Sequence, residues 1–201
     1  MRSILATLVF LIAAPVLADD AKLAPATRLR GTIEQVSGDT VTILTRGGKH
    51  DPVLIGPDTR IGALRLLAIG DLKAGDFIGT AALKQSDGHL KALQVTVFPE
   101  ALRGRGEGQR AWDQGPDSSM TNATVAEITA TPNGPTLRLK YKGGEAVVDV
   151  PPDAPIVTPI PGDRSLLVAG RAIVAFARQG PDGAWTAAYL TVEKDGVKPP
   201  M

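Results

Sequence analysis

Short alternating runs of apolar and polar residues, broken by Gly, Asp, Asn and Pro, set the pattern of this chain. Val41 and Ile43 alternate with Thr40, Thr42 and Thr45, and Leu137 and Leu139 alternate with polar neighbours over 136–141. Period-two alternation turns one set of side chains to a core and the other to water, which predicts half-buried strands. Strands are also predicted over 28–36, 53–55, 77–83 and 90–98, and over 124–129, 146–150, 172–178 and 184–192. Asp87-Gly88 and Asp182-Gly183, each between apolar runs, signal tight hairpins, because Gly accepts the positive φ such turns require. Pro52 suits a strand start or an edge, since it has no N–H to give a ladder. Leu64 to Leu72 is apolar without alternation and predicts a short helix or a packed loop. Ile33 and Val36, like Val125 and Ile128, lie three apart, so each first strand needs a bulge to hold both on one face.

The two groups of strands follow one plan. Pro57-Asp58 matches Pro152-Asp153 at an offset of 95, and the match continues through Gly75 and Gly170, Ala92 and Ala187, and Val97 and Val192. Thr32-Ile33 matches Thr124-Val125 at an offset of 92. Repetition on this scale implies two copies of one small β fold. Five or six short strands per copy predict an all-β chain of two tandem small barrels, OB-like, joined by a packed irregular linker. A sandwich is the alternative. The expected organisation is a signal peptide over 1–18, a flexible N-terminus over 19–26, a first barrel repeat over 27–98, a Gly/Arg-rich linker over 99–121, a second barrel repeat over 122–196, and a C-terminal tail over 197–201.

The first 18 residues carry Arg2, the apolar run Ile4 to Ala14, and small residues before Asp19, the order of an export signal. The run is shorter than the roughly 20 apolar residues of a spanning helix, and the mature chain holds no transmembrane segment by this reading. Loss of Arg2 leaves 21 basic against 21 acidic side chains. That balance argues against a nucleic-acid protein, whose affinity rests on surplus Lys and Arg facing phosphates. With no cysteine, disulfides and thiolate metal sites are excluded, and packing alone must hold the fold. A β unit of roughly 70 residues is marginal by itself, which favours docking of the two copies.

Pro99 to Thr121 has no counterpart in either copy. Arg103, Arg105 and Arg110 are interleaved there with Gly104, Gly106 and Gly108, and Trp112, one of two Trp, follows. Guanidinium forks can clamp a carboxylate or phosphate while an indole stacks on a flat or sugar face, so Arg103, Arg105, Arg110 and Trp112 are the candidate ligand-binding residues. The alternative is that Trp112 anchors the linker between the copies, with the Arg side chains paired to nearby carboxylates. No strand–Gly-rich loop–helix unit surrounds the glycines, which excludes a nucleotide loop. His50 and His89 lie near turns without a second ligand at metal spacing, and no cofactor or metal is expected. Carboxylates at the repeated turns fit turn chemistry better than acid–base work, and no nucleophile elbow occurs, so no enzyme is expected.

Gly31-Thr32-Ile33-Glu34-Gln35-Val36, Asp71-Leu72-Lys73-Ala74-Gly75-Asp76 and Asp87-Gly88-His89-Leu90-Lys91-Ala92 carry a resemblance, as do the linker from Phe98 through Trp112-Asp113 and Met120-Thr121-Asn122-Ala123-Thr124 beyond it. With these stretches the chain resembles an exported bacterial tandem β-barrel family of unknown function, some members of which are labelled as metal-transport related. The resemblance covers most of the mature chain and implies a periplasmic barrel protein without adding chemistry. Family members often carry His where this chain has Gln109, so a metal role is weakened here. The expectation is a periplasmic, non-enzymatic binding or adaptor protein whose partner is an envelope protein or a small anionic or glycan ligand. The alternatives are a structural or stress-related envelope protein without a small ligand, and a metal-transport accessory protein.

Overall fold

The computed structural model describes residues 26–200. The predicted signal segment and all but the last residue of 19–26 lie outside the described residues. β1 (Thr27–Ser37), β2 (Thr40–Thr45) and β3 (His50–Leu66) form an antiparallel meander. β4 (Phe77–Lys84) and β5 (Leu90–Val97) make a hairpin, as do β11 (Ala172–Gln179) and β12 (Trp185–Val192). Between them lie β6 (Gly108–Ala111), β7 (Ser118–Thr129), β8 (Thr136–Tyr141), β9 (Gly144–Asp149) and β10 (Ile156–Pro161). The chain is all-β. Among the described residues no helix is long and apolar enough to cross a membrane.

β1, β2, β3, β12 and β11 close a five-stranded barrel: β11 returns antiparallel to β1, and β12 runs parallel to β3. Each strand of the ring has a partner on both sides, so its backbone groups are met without a free edge. The alternating apolar positions of the ring fill its interior, with Ile33, Val41, Ile43, Val53, Ile173 and Leu190 at most 1% exposed. The remaining strands surround a second apolar cluster that includes Ile78, Val95, Val125, Leu137, Leu139 and Val148. There β4 pairs with β5 and β7, β8 lies between β7 and β9, and β5 meets β9 in parallel at Leu90–Val148 and Lys91–Asp149. β10 joins the two regions, antiparallel to β3 and parallel to β5.

The bulges fall where the apolar spacing requires them: the register slips between Ile33 and Gln35 on β1, and between Val125 and Glu127 on β7. The hairpin signals also correspond to turns. Gly88 and Gly183 take positive φ, and Asp87 and Asp182 each accept a backbone N–H from the residue two ahead.

Two expectations are corrected. Residues 27–98 do not close a barrel of their own, because β1 and β3 are completed by β11 and β12 from the other end of the chain. The physical reason lies in β3. Gly56-Pro57-Asp58 reads as a turn, yet the strand continues to Leu66, and its second half pairs with β10 and β12 instead of folding back. The linker over 99–121 is also not irregular throughout, since β6 and the start of β7 form a hairpin with Arg110 opposite Met120 and Ala111 opposite Ser119.

One polar spot sits inside the second cluster. Thr80 and Thr121 face each other across β4 and β7, both are fully buried, and neither hydroxyl has a partner among the described residues. A buried hydroxyl without a partner is costly, whereas valine keeps the shape and removes the demand. Thr121→Val is therefore expected to stabilise the protein by about 1 kcal/mol, raising Tm by roughly 2–4 °C in a thermal melt. A lowered Tm would show that the hydroxyl is satisfied, by a buried water for example.

Candidate functional site

The four residues singled out from the sequence do not gather at one place. Arg103 is exposed and pairs with Glu100 at 2.5 and 2.7 Å, while also donating to the Gly75 carbonyl at 2.9 Å. Arg105 is exposed, and its carbonyl accepts from the Asn122 amide. Only Arg110 reaches Trp112, with its guanidinium 5.6 Å from the ring centre and one N–H on the Gly106 carbonyl. Burial, and then the like charge of Arg28, hold Arg110 below the usual guanidinium range.

The closest cation on Trp112 is Arg28, which the sequence reading did not single out, at 3.9 Å from the ring centre, with Arg30 at 5.8 Å. β1 presents both because Arg28 and Arg30 alternate with Leu29, whose side chain enters the barrel core. The neighbouring Asp113 accepts from both: Arg28 Nε at 3.2 Å and Arg30 Nη2 at 2.8 Å. Arg30 is 7% exposed, and it also donates to the Pro200 carbonyl, so the predicted tail docks on β1. Among the described residues its Nε–H has no acceptor, and the Trp112 indole N–H is likewise buried without a partner.

Local structure aims Asp113. The Ser118 hydroxyl shares its one proton between the carbonyls of Gly115, at 2.7 Å, and Trp112, at 3.0 Å, and accepts from the Gln114 N–H, which ties a tight loop over 112–118. The Trp112 backbone N–H donates to the Ser118 carbonyl and extends the β6–β7 ladder by one rung. Asp113 thereby projects from the end of that hairpin onto β1.

Arg28, Arg30 and Asp113 line a cleft of about 470 Å³ at the end of the barrel. The turn between β2 and β3 borders it beside β1, where the Arg46 N–H donates to the Arg30 carbonyl at 3.1 Å. There Thr45 bonds Lys49 through backbone and hydroxyl, and Gly48 takes positive φ. The tight turn sets Arg46 and Lys49 on the cleft, with Asp51 beside them. Trp185, the first residue of β12, packs on the core and also lines the cleft. Four cations, Arg28, Arg30, Arg46 and Lys49, therefore face two carboxylates, Asp51 and Asp113. Neither Arg46 nor Lys49 has a side-chain partner among the described residues, so both can meet an anion. The sequence hint was the Arg28-Leu29-Arg30 alternation, but nothing in it says which turn and which linker carboxylate face that strand.

Elsewhere, His50 Nδ1 meets Glu34 at 2.8 Å, and His89 Nδ1 meets Asp149 at 3.1 Å. Both histidines thus acquire carboxylate partners that the sequence reading did not assign. No group of three or more His, Asp or Glu among the described residues could hold a metal ion. No family model, curated protein or solved structure matches this chain. Function is therefore read from the geometry.

Burial pushes the Asp113 carboxyl up, but the hydrogen bond and charge of Arg30, then those of Arg28, outweigh it and hold the group below its ordinary 3.8. A depressed folded-state value means that the contribution to stability is complete above the ordinary value and is lost as pH falls through the depressed one. In thermal melts between about pH 5 and 2, the native chain is expected to lose Tm more steeply than Asp113→Asn. Equal slopes would mean that the Asp113 pairing adds nothing to folding.

Proposed function

We propose that this chain is an exported, non-enzymatic binding or adaptor protein of the periplasm, built from duplicated five-stranded barrels that exchange strands, with the cationic cleft as its contact site for an anionic ligand. Register supports the duplication. Gly31 opposes Ile173 in the closed barrel, and Ala123 and Ile78, displaced by 92 and 95, oppose each other between β7 and β4. Trp185–Val53 recurs as Leu90–Val148, and Leu190–Ile61 as Val95–Ile156, each displaced by 95. Both hairpins skip one residue at equivalent places, Leu93 and Ala188. Each ring of pairings then takes its first three strands from one half of the chain and its last two from the other. On this reading neither half is a complete unit. Residues 26–98 and 122–200, produced separately, are expected to give no folded monomer, and mixing them should restore the β circular dichroism of the full chain. Two halves that fold alone as monomers would refute the exchange.

The observation that carries the binding reading is the pair of cations without a side-chain partner among the described residues, Arg46 and Lys49, beside the Arg28–Arg30 fork in a cleft whose described lining has a surplus of two positive charges. Guanidinium and ammonium groups held in a concave site suit carboxylates, phosphates and acidic sugars. Trp185 adds an apolar platform to the same cleft. The double substitution Arg46→Ala, Lys49→Ala is expected to weaken calorimetric binding of citrate or an oligogalacturonate by about tenfold or more, since one charge-assisted bond contributes about 1.5–3 kcal/mol. The second reading is an architectural envelope protein without a ligand. It draws on Trp112, whose ring is already covered by Arg28 and whose N–H is buried. Absence of binding by the native chain to any anion tried would favour it.

A further inference from the structure

Resting on the cleft as an anion site, we propose that Asp113 is a built-in occupant of that site, and that the ligand is a polycarboxylate which displaces it from the Arg28–Arg30 fork while a second carboxylate engages Arg46 and Lys49. Asp113 already shows the chemistry the fork accepts. One carboxylate bridges two guanidiniums, with one bond to each, at 3.2 and 2.8 Å. It is an imperfect occupant. Arg30, more than nine-tenths buried, keeps an Nε–H without an acceptor among the described residues, and a carboxylate lying along the Nε edge of the guanidinium would satisfy it. Asp113 also stays half in water, with its side chain 40% exposed, so the pairing can open without breaking a sealed core.

Tethering decides which ligands compete. A carboxylate held on a short loop acts at an effective concentration of the order of millimolar or above, so a free monocarboxylate is a poor rival. A ligand that also engages Arg46 and Lys49 gains contacts that Asp113, bonded to Arg28 and Arg30, does not make. Displacement has a structural consequence as well. Arg28 covers Trp112, and Trp112 closes the β6–β7 hairpin, so loss of the Asp113 contact loosens the connector from β1. The cleft would thus report its occupancy through the connector.

The experiment compares two neutralisations of the same cleft in the full chain, Asp113→Asn and Asp51→Asn. Each removes one negative charge, but only the first vacates the fork. Calorimetry with citrate and with an oligogalacturonate separates a free small acid from an acidic glycan as the source of the carboxylates. The expected result is a gain in affinity of about tenfold or more for Asp113→Asn and under about threefold for Asp51→Asn, with acetate binding measurable only to Asp113→Asn. Equal gains from the two variants, or a loss from Asp113→Asn, would overturn the occupant while leaving the cleft as an anion site. No binding to the native chain or to either variant would overturn both. Should Asp113→Asn not fold, the native chain still decides the question through its indole N–H resonances during a citrate titration. Those of Trp112 and Trp185 should shift with the same midpoint, and a shift of Trp185 alone would sink the proposal.

Discussion

Along β1 and β3, the backbone N–H and C=O groups left over after pairing with β2 meet their partners on β11 and β12, at the other end of the chain. Buried backbone groups without partners are too costly to tolerate, so this pairing governs what else can form. It obliges β3 to continue past Gly56-Pro57-Asp58, where the register with β12 slips, and to carry Ile61 and Ala63 toward the barrel core, and it brings β10 against the far half of the same strand. The interior is then filled by β-branched and small residues from strands that are remote in sequence. Ala175, Ala177 and Ala187 leave the room that Ile33, Ile43 and Leu190 occupy.

The site follows from the same closure. With β11 on one side of β1 and β2 on the other, the outward side chains Arg28 and Arg30 face the end of the barrel, where the β2–β3 turn and the start of β12 also converge. The chain between the two groups of strands comes back across that end as the β6–β7 hairpin, and Ser118 ties its loop so that Asp113 meets both arginines. Arg30 is the node. It joins the connector through Asp113, the C-terminal residues through Pro200, and β1 through its own strand. Cation–π contact with Trp112 adds to this at about 0.5–2 kcal/mol, more where water is excluded.

Local chemistry in the sequence was a good guide to elements and a poor one to partners. The strands β2, β4, β5, β8, β11 and β12 lie where the sequence predicts them, and the bulges on β1 and β7 lie where apolar spacing of three requires them. The β6 strand was not foreseen, because Gly108-Gln109-Arg110-Ala111 has no apolar alternation and is ordered by its pairing with β7. Trp112 drew attention as one of two Trp in the chain, but the guanidinium nearest its ring, that of Arg28, lies on β1 and not in the connector. Arg103 and Arg105 drew attention through composition alone, yet Arg103 is engaged by Glu100, three residues away.

What the amino-acid order by itself determined is the class and the punctuation: strands from period-two alternation, turns from Asp-Gly and Gly-Gly, and a connector marked by its Gly, Arg and Trp. These are properties of neighbouring residues, and neighbours suffice to set backbone angles and to choose which side chains leave water. Which strand closes on which, and therefore which cations share a cleft with Asp113, was decided only by the tertiary structure. The backbone hydrogen bonds that settle it are chemically alike at every position. Their choice among alternatives rests on which pairing buries both apolar faces at once, and no local stretch of sequence carries that information.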